Sequence, residues 1–253
     1  MKYLLTTAYN NTVKAATKMY SGHEYTFSDS TNLTADMNHA KTVTDLNLFT
    51  EQIALAKSVG REYIMGETGF HGVDTTMDAT FGGAIQVFDK AMKAVSMDIK
   101  RLFYHQGTIN QGVYETVLFR MTSTDLFVAF FNWWSDDQVN APMYGGYMAM
   151  LALAQGDSIT ANDAGNSSYA SYTVYKKGKA DRVVLINSDY YSGNGTRSET
   201  VFTLNNLKGN DNLKVIRFAS ASSEVTLARR VAGPQITIAG RLSTIGCRTM
   251  LIM

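Results

Sequence analysis

The stretch REYIMGETGFHG, residues 61–72, places an apolar run directly before a glutamate that stands between glycines. Residues 62–67 have the apolar and aromatic character of a buried strand. Glu67 ends that strand, in the sequence Gly-Glu-Thr-Gly. Two interpretations are open: a turn whose acid faces water, or a catalytic carboxylate held at the mouth of a barrel. The neighbouring segments bear on the choice.

Strand and helix patterns alternate on both sides of this stretch. Strands are predicted at 18–25, 62–67 and 99–107, and helices at 9–18, 45–60, 78–97 and 142–155. The polar segment 26–43 is predicted to be a long loop, and 108–140 an insertion with an apolar strand at 125–134. Because a helix follows each strand, we expect a parallel sheet.

The pattern changes after about residue 156. Short apolar runs separated by Gly, Asn, Asp and Lys turns begin near 169, 180, 198, 212, 234 and 248. No helical periodicity interrupts them, which is typical of an antiparallel β-sandwich. We therefore expect two domains: 1–155, part of a βα barrel, and 156–253, a β-sandwich.

Composition excludes several functional classes. Hydrophobic residues make up 45% and charged residues 18% of the 253 residues, and the net charge is +1. Without a basic stripe, nucleic-acid binding is not expected. No apolar run reaches the roughly 18 residues that a membrane span needs. The lone Cys247 is expected to be a small buried hydrophobe and cannot form an intramolecular disulfide.

Polar residues at the ends of the predicted strands are the candidate site. The carboxyl ends of parallel strands carry the chemistry of βα barrels. Retaining glycoside hydrolysis uses two carboxylates about 5–5.5 Å apart, and Glu67 is the best candidate for one of them. An aromatic and polar rim suited to sugar hydroxyls surrounds it: His23, Tyr25, Tyr104, His105 and Gln106.

Structural roles are the alternative for these side chains. Each histidine by itself is more often a satisfied structural residue than a ligand. The histidines lack the local spacing of a zinc site, and no phosphate-binding loop or G-x-S-x-G elbow is present. We therefore expect neither a metal nor a cofactor. Trp133 and Trp134 are consistent with a sugar platform and equally with core packing.

The order of motifs resembles glycoside hydrolase family 79, which comprises β-glucuronidases and heparanase relatives. The resemblance rests on SGHEY, ADMNHAKTV, YIMGETG, DATFGGAIQVFDKAMKAVSMDIKRLFYHQGT and APMYGGYMAMLALAQG, in this order over about 18–155. The C-terminal segment 156–253 resembles the β domain of that family more loosely.

The resemblance implies a retaining mechanism on a (β/α)8 barrel. It makes Glu67 the nucleophile at the end of barrel strand seven and maps His23 and Tyr25 onto strand six. His105 and Gln106 correspond to the end of strand eight. Asn38 and His39 match a family segment near the site.

Two departures from the family limit what the resemblance implies. The acid/base glutamate of the family lies in an Asn-Glu motif on strand four, and this sequence contains no Asn-Glu pair. Glu24 and Glu62 are poor substitutes because of their strand positions. Gly69-Phe70-His71 also replaces the family's Asn-Ser after Gly-Glu-Thr, which puts recognition of a uronate in question.

We therefore predict the C-terminal half of a β-glucuronidase-like retaining hydrolase, a chain with little activity by itself because three strands cannot close a barrel. The missing half would be part of a longer polypeptide or of a partner chain. The alternatives are a non-catalytic carbohydrate-binding or interaction protein, and a glycosidase for another sugar. The expected partner is a glycoside or oligosaccharide.

We expect a secreted glycoprotein, although the N-terminus is a poor signal peptide. The expectation rests on four N-x-S/T sequons, which begin at Asn10, Asn32, Asn166 and Asn194.

Overall fold

The fold was analysed in a computed structural model, which describes residues 10–26, 32–70, 75–105, 133–135, 138–205, 213–226, 237–239 and 248–252. The helices are α1 Asn11–Ala16, α2 Leu33–Asp36, α3 His39–Asn47, α4 Thr50–Ser58, α5 Thr75–Asp78, α6 Phe81–Ser96 and α7 Ala141–Leu153. The strands are β1 Met19–Tyr25, β2 Glu62–Gly69, β3 Ile99–Tyr104, β4 Trp134–Ser135, β5 Gln138–Val139, β6 Ser158–Ala161, β7 Tyr169–Lys176, β8 Lys179–Asn187, β9 Leu213–Ala219, β10 Thr237–Ala239 and β11 Arg248–Ile252. Most of the strand predicted at 125–134 lies outside the described residues. Within the described part of the chain, no helix has the length and apolar character to cross a membrane.

The first sheet consists of β1, β2 and β3 in that order, and both pairings are parallel. The expectation of parallel strands connected by helices is therefore confirmed for this segment. In the described residues the sheet has three strands and does not close on itself.

The two faces of this sheet differ because strand side chains alternate. One face packs on helices, and Tyr20, Tyr63 and Met65 are buried in the core beneath it. The opposite face presents exposed side chains, among them His23 and Phe103, the latter 51% exposed. We refer to the second as the open face of the sheet.

Helix α6 is the central element of the molecule. Thr80 is its N-cap, accepting a hydrogen bond from the Gly83 amide, and the helix ends where Asp98 adopts a positive φ of 73°. Its apolar periodicity predicts an amphipathic helix, but 13 of its residues are buried, and they include polar ones. The helix is enclosed on nearly all sides because the first sheet, α3, α7 and the C-terminal sheet all contact it.

The main hydrophobic core joins the helices to the C-terminal sheet. Phe88 and Met148 from α6 and α7 belong to the same buried cluster as Tyr172 and Phe218 from the sheet. The change from helices to strands falls between Leu153 and Ser158, near the predicted boundary at 155/156. The division into two domains stays a prediction.

The polar segment 26–43 was predicted to be a loop, and this is wrong for its second half. Asn32 and Asn38 cap α2 and α3, each accepting a hydrogen bond from a backbone amide two residues later. Polar residues that favour loops are also the preferred N-caps, and here the second role applies. The single helix predicted at 45–60 is two helices, with α3 ending at Asn47 and α4 beginning at Thr50.

The C-terminal strands form one six-stranded sheet in the order β10-β9-β11-β8-β7-β6. The expectation of antiparallel pairing throughout is wrong, because β11 pairs in parallel with both β8 and β9. Alternation of side chains predicts a strand but carries no information about the direction of its partner. The described residues show this single mixed sheet in the C-terminal segment.

Two strand assignments in this segment also differ from prediction. Residues 198–205 keep the alternating pattern, with the Phe202 ring 6.3 Å from that of Tyr169, but they form no strand. The short edge strand β6, which pairs with β7, was not predicted. Its four residues are too few for a periodic pattern to be recognised.

Candidate active site

The position of Glu67 depends on an irregularity in β2. The pairing with β1 shifts between Gly22 and His23, so that Gly22 lies opposite Met65 and His23 lies opposite Glu67. Gly66 is the extra residue of this bulge. A Cβ at Gly66 would lie 3.1 Å from the Cβ of Ser21, so the small residue permits the close approach of the two strands.

The bulge reverses the alternation and turns Glu67 to the open face. Without it, Glu67 would share the helix-facing side of Tyr63 and Met65. Instead its carboxylate lies beside two side chains of β1 and is 38% exposed. A carboxylate at the carboxyl end of the middle parallel strand is therefore accessible from the open face.

Tyr25 and His23 contact the two oxygens of this carboxylate. The Tyr25 hydroxyl donates a hydrogen bond to Oε1 of Glu67. Nδ1 of His23 lies 3.9 Å from Oε2, and the His23 side chain is 60% exposed. Burial, followed by the hydrogen bond and charge of Glu67, raises the pKa of Tyr25 well above its usual value, so the phenol stays protonated and remains a donor.

Tyr104 is placed differently from Tyr25. Its hydroxyl donates to the Val87 carbonyl of α6 at 3.1 Å, and its ring lies 4.8 Å from that of Trp133. Burial raises the pKa of Tyr104 well above its usual value. Tyr104 thus packs toward the helices, and Trp133 packs against it and against Gly146 of α7.

His105 follows β3 at the same edge. Its backbone amide donates to the Thr68 carbonyl at 2.9 Å, which brings the end of β3 to the residue after Glu67. Gln106 lies outside the described residues. Of the predicted rim, the structure brings together His23, Tyr25 and Glu67 through side-chain contacts and His105 through its backbone.

Asn38 and His39 lie in a different environment. Asn38 caps α3, as described above. His39 is 1% exposed, with Nδ1 2.7 Å from Oδ2 of Asp89 and Nε2 3.0 Å from Oδ1 of Asp163. Both ring nitrogens are occupied by carboxylates, and no hydrogen bond in the described residues joins His39 to Glu67.

The surroundings of His39 connect the helices to the C-terminal sheet. Tyr172 donates a 2.8 Å hydrogen bond to Asp89, and the His39 amide donates to Ser188. Burial lowers the pKa of His39, but its bonds to Asp163 and then Asp89 outweigh it and raise the pKa to about 9. The imidazole is therefore charged at neutral pH and bridges two carboxylates.

Asp89 and Lys90 were not among the residues predicted from the sequence. They stand as a charged pair in the otherwise apolar run VFDKAM of α6, and both are fully buried. Charges on the buried face of a helix are rarely tolerated without partners, so this interruption was the available signal.

Neither Glu24 nor Glu62 places a second carboxylate beside Glu67. Glu24 faces the helices and forms an ion pair with Lys90 at 2.7 Å. Glu62 lies at the other end of β2, where it pairs with Arg101 at 3.2 Å. That neither residue replaces the acid/base glutamate stays a prediction. The described residues also contain no cluster of three or more His, Cys, Asp or Glu side chains suited to a metal.

Comparison with known protein families gives a match in the C-terminal segment. Residues 171–244 match the family model for the glycosyl hydrolase family 79 C-terminal beta domain. No curated protein matches the chain in sequence.

A solved structure is similar over most of the chain. It is a 4-O-α-L-rhamnosyl-β-D-glucuronidase from Fusarium oxysporum 12S, in complex with Rha-GlcA. The similarity has a TM-score of 0.72 at 28% sequence identity and covers 91% of this chain. This chain spans 46% of the length of that enzyme. The predicted resemblance to glycoside hydrolase family 79 is thus confirmed: residues 171–244 match the model of that family's C-terminal β domain, and most of the chain is similar to a solved glucuronidase.

Proposed function

We propose that this chain provides the nucleophile of a retaining glycoside hydrolase that acts on β-linked glucuronides, and that Glu67 is that nucleophile. The observation that supports this most directly is the accessible Glu67 carboxylate, which lies near the carboxyl end of the middle parallel strand and is oriented by Tyr25. The similar enzyme was solved with a glucuronic acid disaccharide, which supports a carbohydrate substrate. The sheet β1–β3 would be part of a (β/α)8 barrel.

The two oxygens of Glu67 have different roles in this mechanism. Oε1 accepts the Tyr25 hydrogen bond, which fixes the plane of the carboxylate. Oε2 attacks the anomeric carbon, forming a glycosyl ester while the bond to the leaving oxygen breaks. Water then attacks the anomeric carbon, and its proton goes to a general base while Glu67 is released as carboxylate.

The first step needs a proton for the leaving oxygen, and we propose that its donor lies outside these 253 residues. Glu24 is buried against Lys90, and Glu62 lies at the opposite end of the strand. We therefore expect little turnover of ordinary glycosides by the chain alone. An aryl glucuronide hydrolysed by the pure chain, with the activity lost in Glu67→Gln, would contradict this.

A substrate with an activated leaving group tests the nucleophile separately from the acid. In 2,4-dinitrophenyl 2-deoxy-2-fluoro-β-D-glucuronide, dinitrophenolate departs without protonation and the fluorine slows hydrolysis of the ester. We expect a covalent adduct on Glu67, located by peptide mass spectrometry. An adduct on another residue, or none, would overturn the assignment.

Two comparisons make this experiment specific. Glu67→Gln should abolish the adduct, whereas Glu62→Gln, which removes a carboxylate from the same strand, should leave labelling unchanged. The corresponding fluoroglucoside, which lacks the C6 carboxylate, tests the sugar. Faster labelling by the glucoside would indicate a glycosidase for another sugar, in keeping with the Gly69-Phe70-His71 departure.

Export and glycosylation are part of the proposal. The asparagines of the four sequons are exposed in the structure: Asn10, Asn32, Asn166 and Asn194. Exposure is required for a glycan to be accommodated on a folded domain. Expression through a eukaryotic secretory pathway should give a product whose mass falls on treatment with an endoglycosidase, and an unchanged mass would count against it.

A further inference from the structure

A buried ion pair lies on the helix side of the strands that carry Glu67. Nζ of Lys90 is 2.7 Å from Oε2 of Glu24, and the two side chains are 0% and 4% exposed. Lys90 also donates a 2.5 Å hydrogen bond to the carbonyl of Gly69. One ammonium group on α6 therefore binds the carboxyl ends of both β1 and β2.

The pair lies directly behind the candidate site. Glu24 stands between His23 and Tyr25, the two residues that contact Glu67, and alternation turns its side chain to the opposite face. Gly69, which accepts from Lys90, is two residues after Glu67.

Further hydrogen bonds tie these strand ends together. The Thr68 hydroxyl donates to the Glu24 carbonyl at 2.7 Å. The Thr26 amide donates to the Phe70 carbonyl at 2.7 Å, and the His105 amide donates to the Thr68 carbonyl. The backbone on both sides of Glu67 is thus fixed to its neighbouring strands and to α6.

Stability alone does not account for this arrangement. Burying two charges costs desolvation that an apolar pair of equal volume avoids, so such a pair is weak evidence of a net contribution to stability. Oε1 of Glu24 is buried and has no hydrogen-bond partner among the residues that the structure describes. The double-displacement chemistry assigned to Glu67 uses neither charge.

We propose that Lys90 and Glu24 are positioning residues that hold the carboxyl ends of β1 and β2 in register, so that Tyr25 meets Glu67 in the attacking orientation. Their catalytic meaning rests on the function proposed above. Their effect on the strand ends does not depend on that function. The catalytic role and the effect on the strand ends are therefore measured separately.

The test replaces the pair by apolar residues of similar size, Lys90→Met with Glu24→Leu, so that no unpaired charge stays buried. The matched control is Arg101→Met with Glu62→Leu, an exposed ion pair at the other end of β2 and β3. Both double variants should fold, with melting temperatures within about 5 °C of the parent.

Hydrogen exchange is the first readout, because it requires no activity. In the Lys90/Glu24 variant, exchange of the Thr26 and His105 amides should rise by about tenfold or more, since the strand ends open more often. In the Arg101/Glu62 control variant, exchange of these two amides should not change. Unchanged exchange in the Lys90/Glu24 variant would overturn the proposal.

Labelling by the activated fluoroglucuronide is the second readout. The rate constant for adduct formation should fall by about tenfold or more, with a smaller change in the concentration for half-maximal labelling, because orientation affects the bond-forming step. Normal labelling despite faster exchange would refute the catalytic role. A parent chain that is never labelled refutes the proposed function instead, and the exchange result then decides the positioning claim.

If the double variant does not fold, a second variant provides the test. Thr68→Val keeps the shape of the side chain and removes the hydroxyl, which contacts both the Glu24 carbonyl at 2.7 Å and Oε2 of Glu24 at 3.2 Å. Like the double variant, it should accelerate hydrogen exchange at the His105 amide and slow labelling of Glu67. Both effects should be smaller than in the double variant. Unaltered values for both would count against the proposal.

Discussion

Nδ1 of His39 lies 2.7 Å from Oδ2 of Asp89, and both side chains are almost completely buried. On its other side His39 binds Asp163, which precedes the C-terminal strand β7. The imidazole thus joins α3, α6 and the C-terminal segment in one buried network, and its charge state should affect how firmly they are held together.

Stability should fall as pH rises through this histidine's titration. The pKa of His39 is about 9 in the folded chain, whereas an unfolded histidine has a pKa near 6.5. The contribution of His39 is therefore fully present below about pH 6.5 and is lost as pH rises through 9. The loss should be on the order of 3 kcal/mol, measured as the free energy of unfolding in urea between pH 6 and 10.

Two variants locate this pH dependence. In His39→Gln the decline between pH 6.5 and 9 should disappear, because the group whose pKa is raised by folding has been removed. His23→Gln, which removes an exposed histidine, should keep the decline. A parent curve that is flat over this range would contradict the charged bridge.

The acidity of Tyr25 should report on Glu67. Glu67→Gln replaces a charged acceptor by a neutral one, so the pKa of Tyr25 should fall while remaining above its usual value because of burial. The measurement is a ¹³C NMR titration of labelled tyrosine. Tyr63 is the internal control, since burial alone raises its pKa to about 12, and it should not change.

The shared core predicts that the helices and the C-terminal sheet stabilise each other. The Phe218 ring is fully buried, 4.9 Å from that of Phe81. Phe218→Ala should lower the free energy of unfolding by about 3–5 kcal/mol. Phe103→Ala, at the exposed aromatic on the open face, should cost about 0.5 kcal/mol. Equal losses of unfolding free energy in the two variants, measured by urea unfolding, would contradict the packing of Phe218 in a shared core.

The contact between α6 and α7 should not tolerate a methyl group at Gly145. A Cβ there would lie 2.1 Å from the carbonyl oxygen of Ala84, a backbone atom that cannot move aside by itself. Gly145→Ala should therefore destabilise the chain by about 1–3 kcal/mol, although alanine is the better helix former. Met150→Ala, on the exposed side of the same helix, should change the melting temperature little.

The fold follows from the sequence where periodicity is strong. The apolar spacing of α6 and the run before Gly66 identify a helix and a strand by themselves, because these patterns reflect which face is buried. Residues 26–43 were misjudged because a polar residue serves equally as a loop residue and as a helix cap. The direction of β11 was misjudged because pairing partners are far away in the sequence.

The sequence by itself determined that a glutamate between glycines lies near the end of a buried strand, that tyrosine and histidine precede it on another strand, and that helices follow the strands. The tertiary structure decided which of these side chains meet. A single extra residue at Gly66 turns Glu67 to the open face, and alternation turns Glu24, between His23 and Tyr25, to the buried side. His39 likewise became a buried bridge because Asp89 and Asp163, 50 and 124 residues away, surround it. Such contacts depend on register and on the packing of distant segments, which local sequence patterns do not encode.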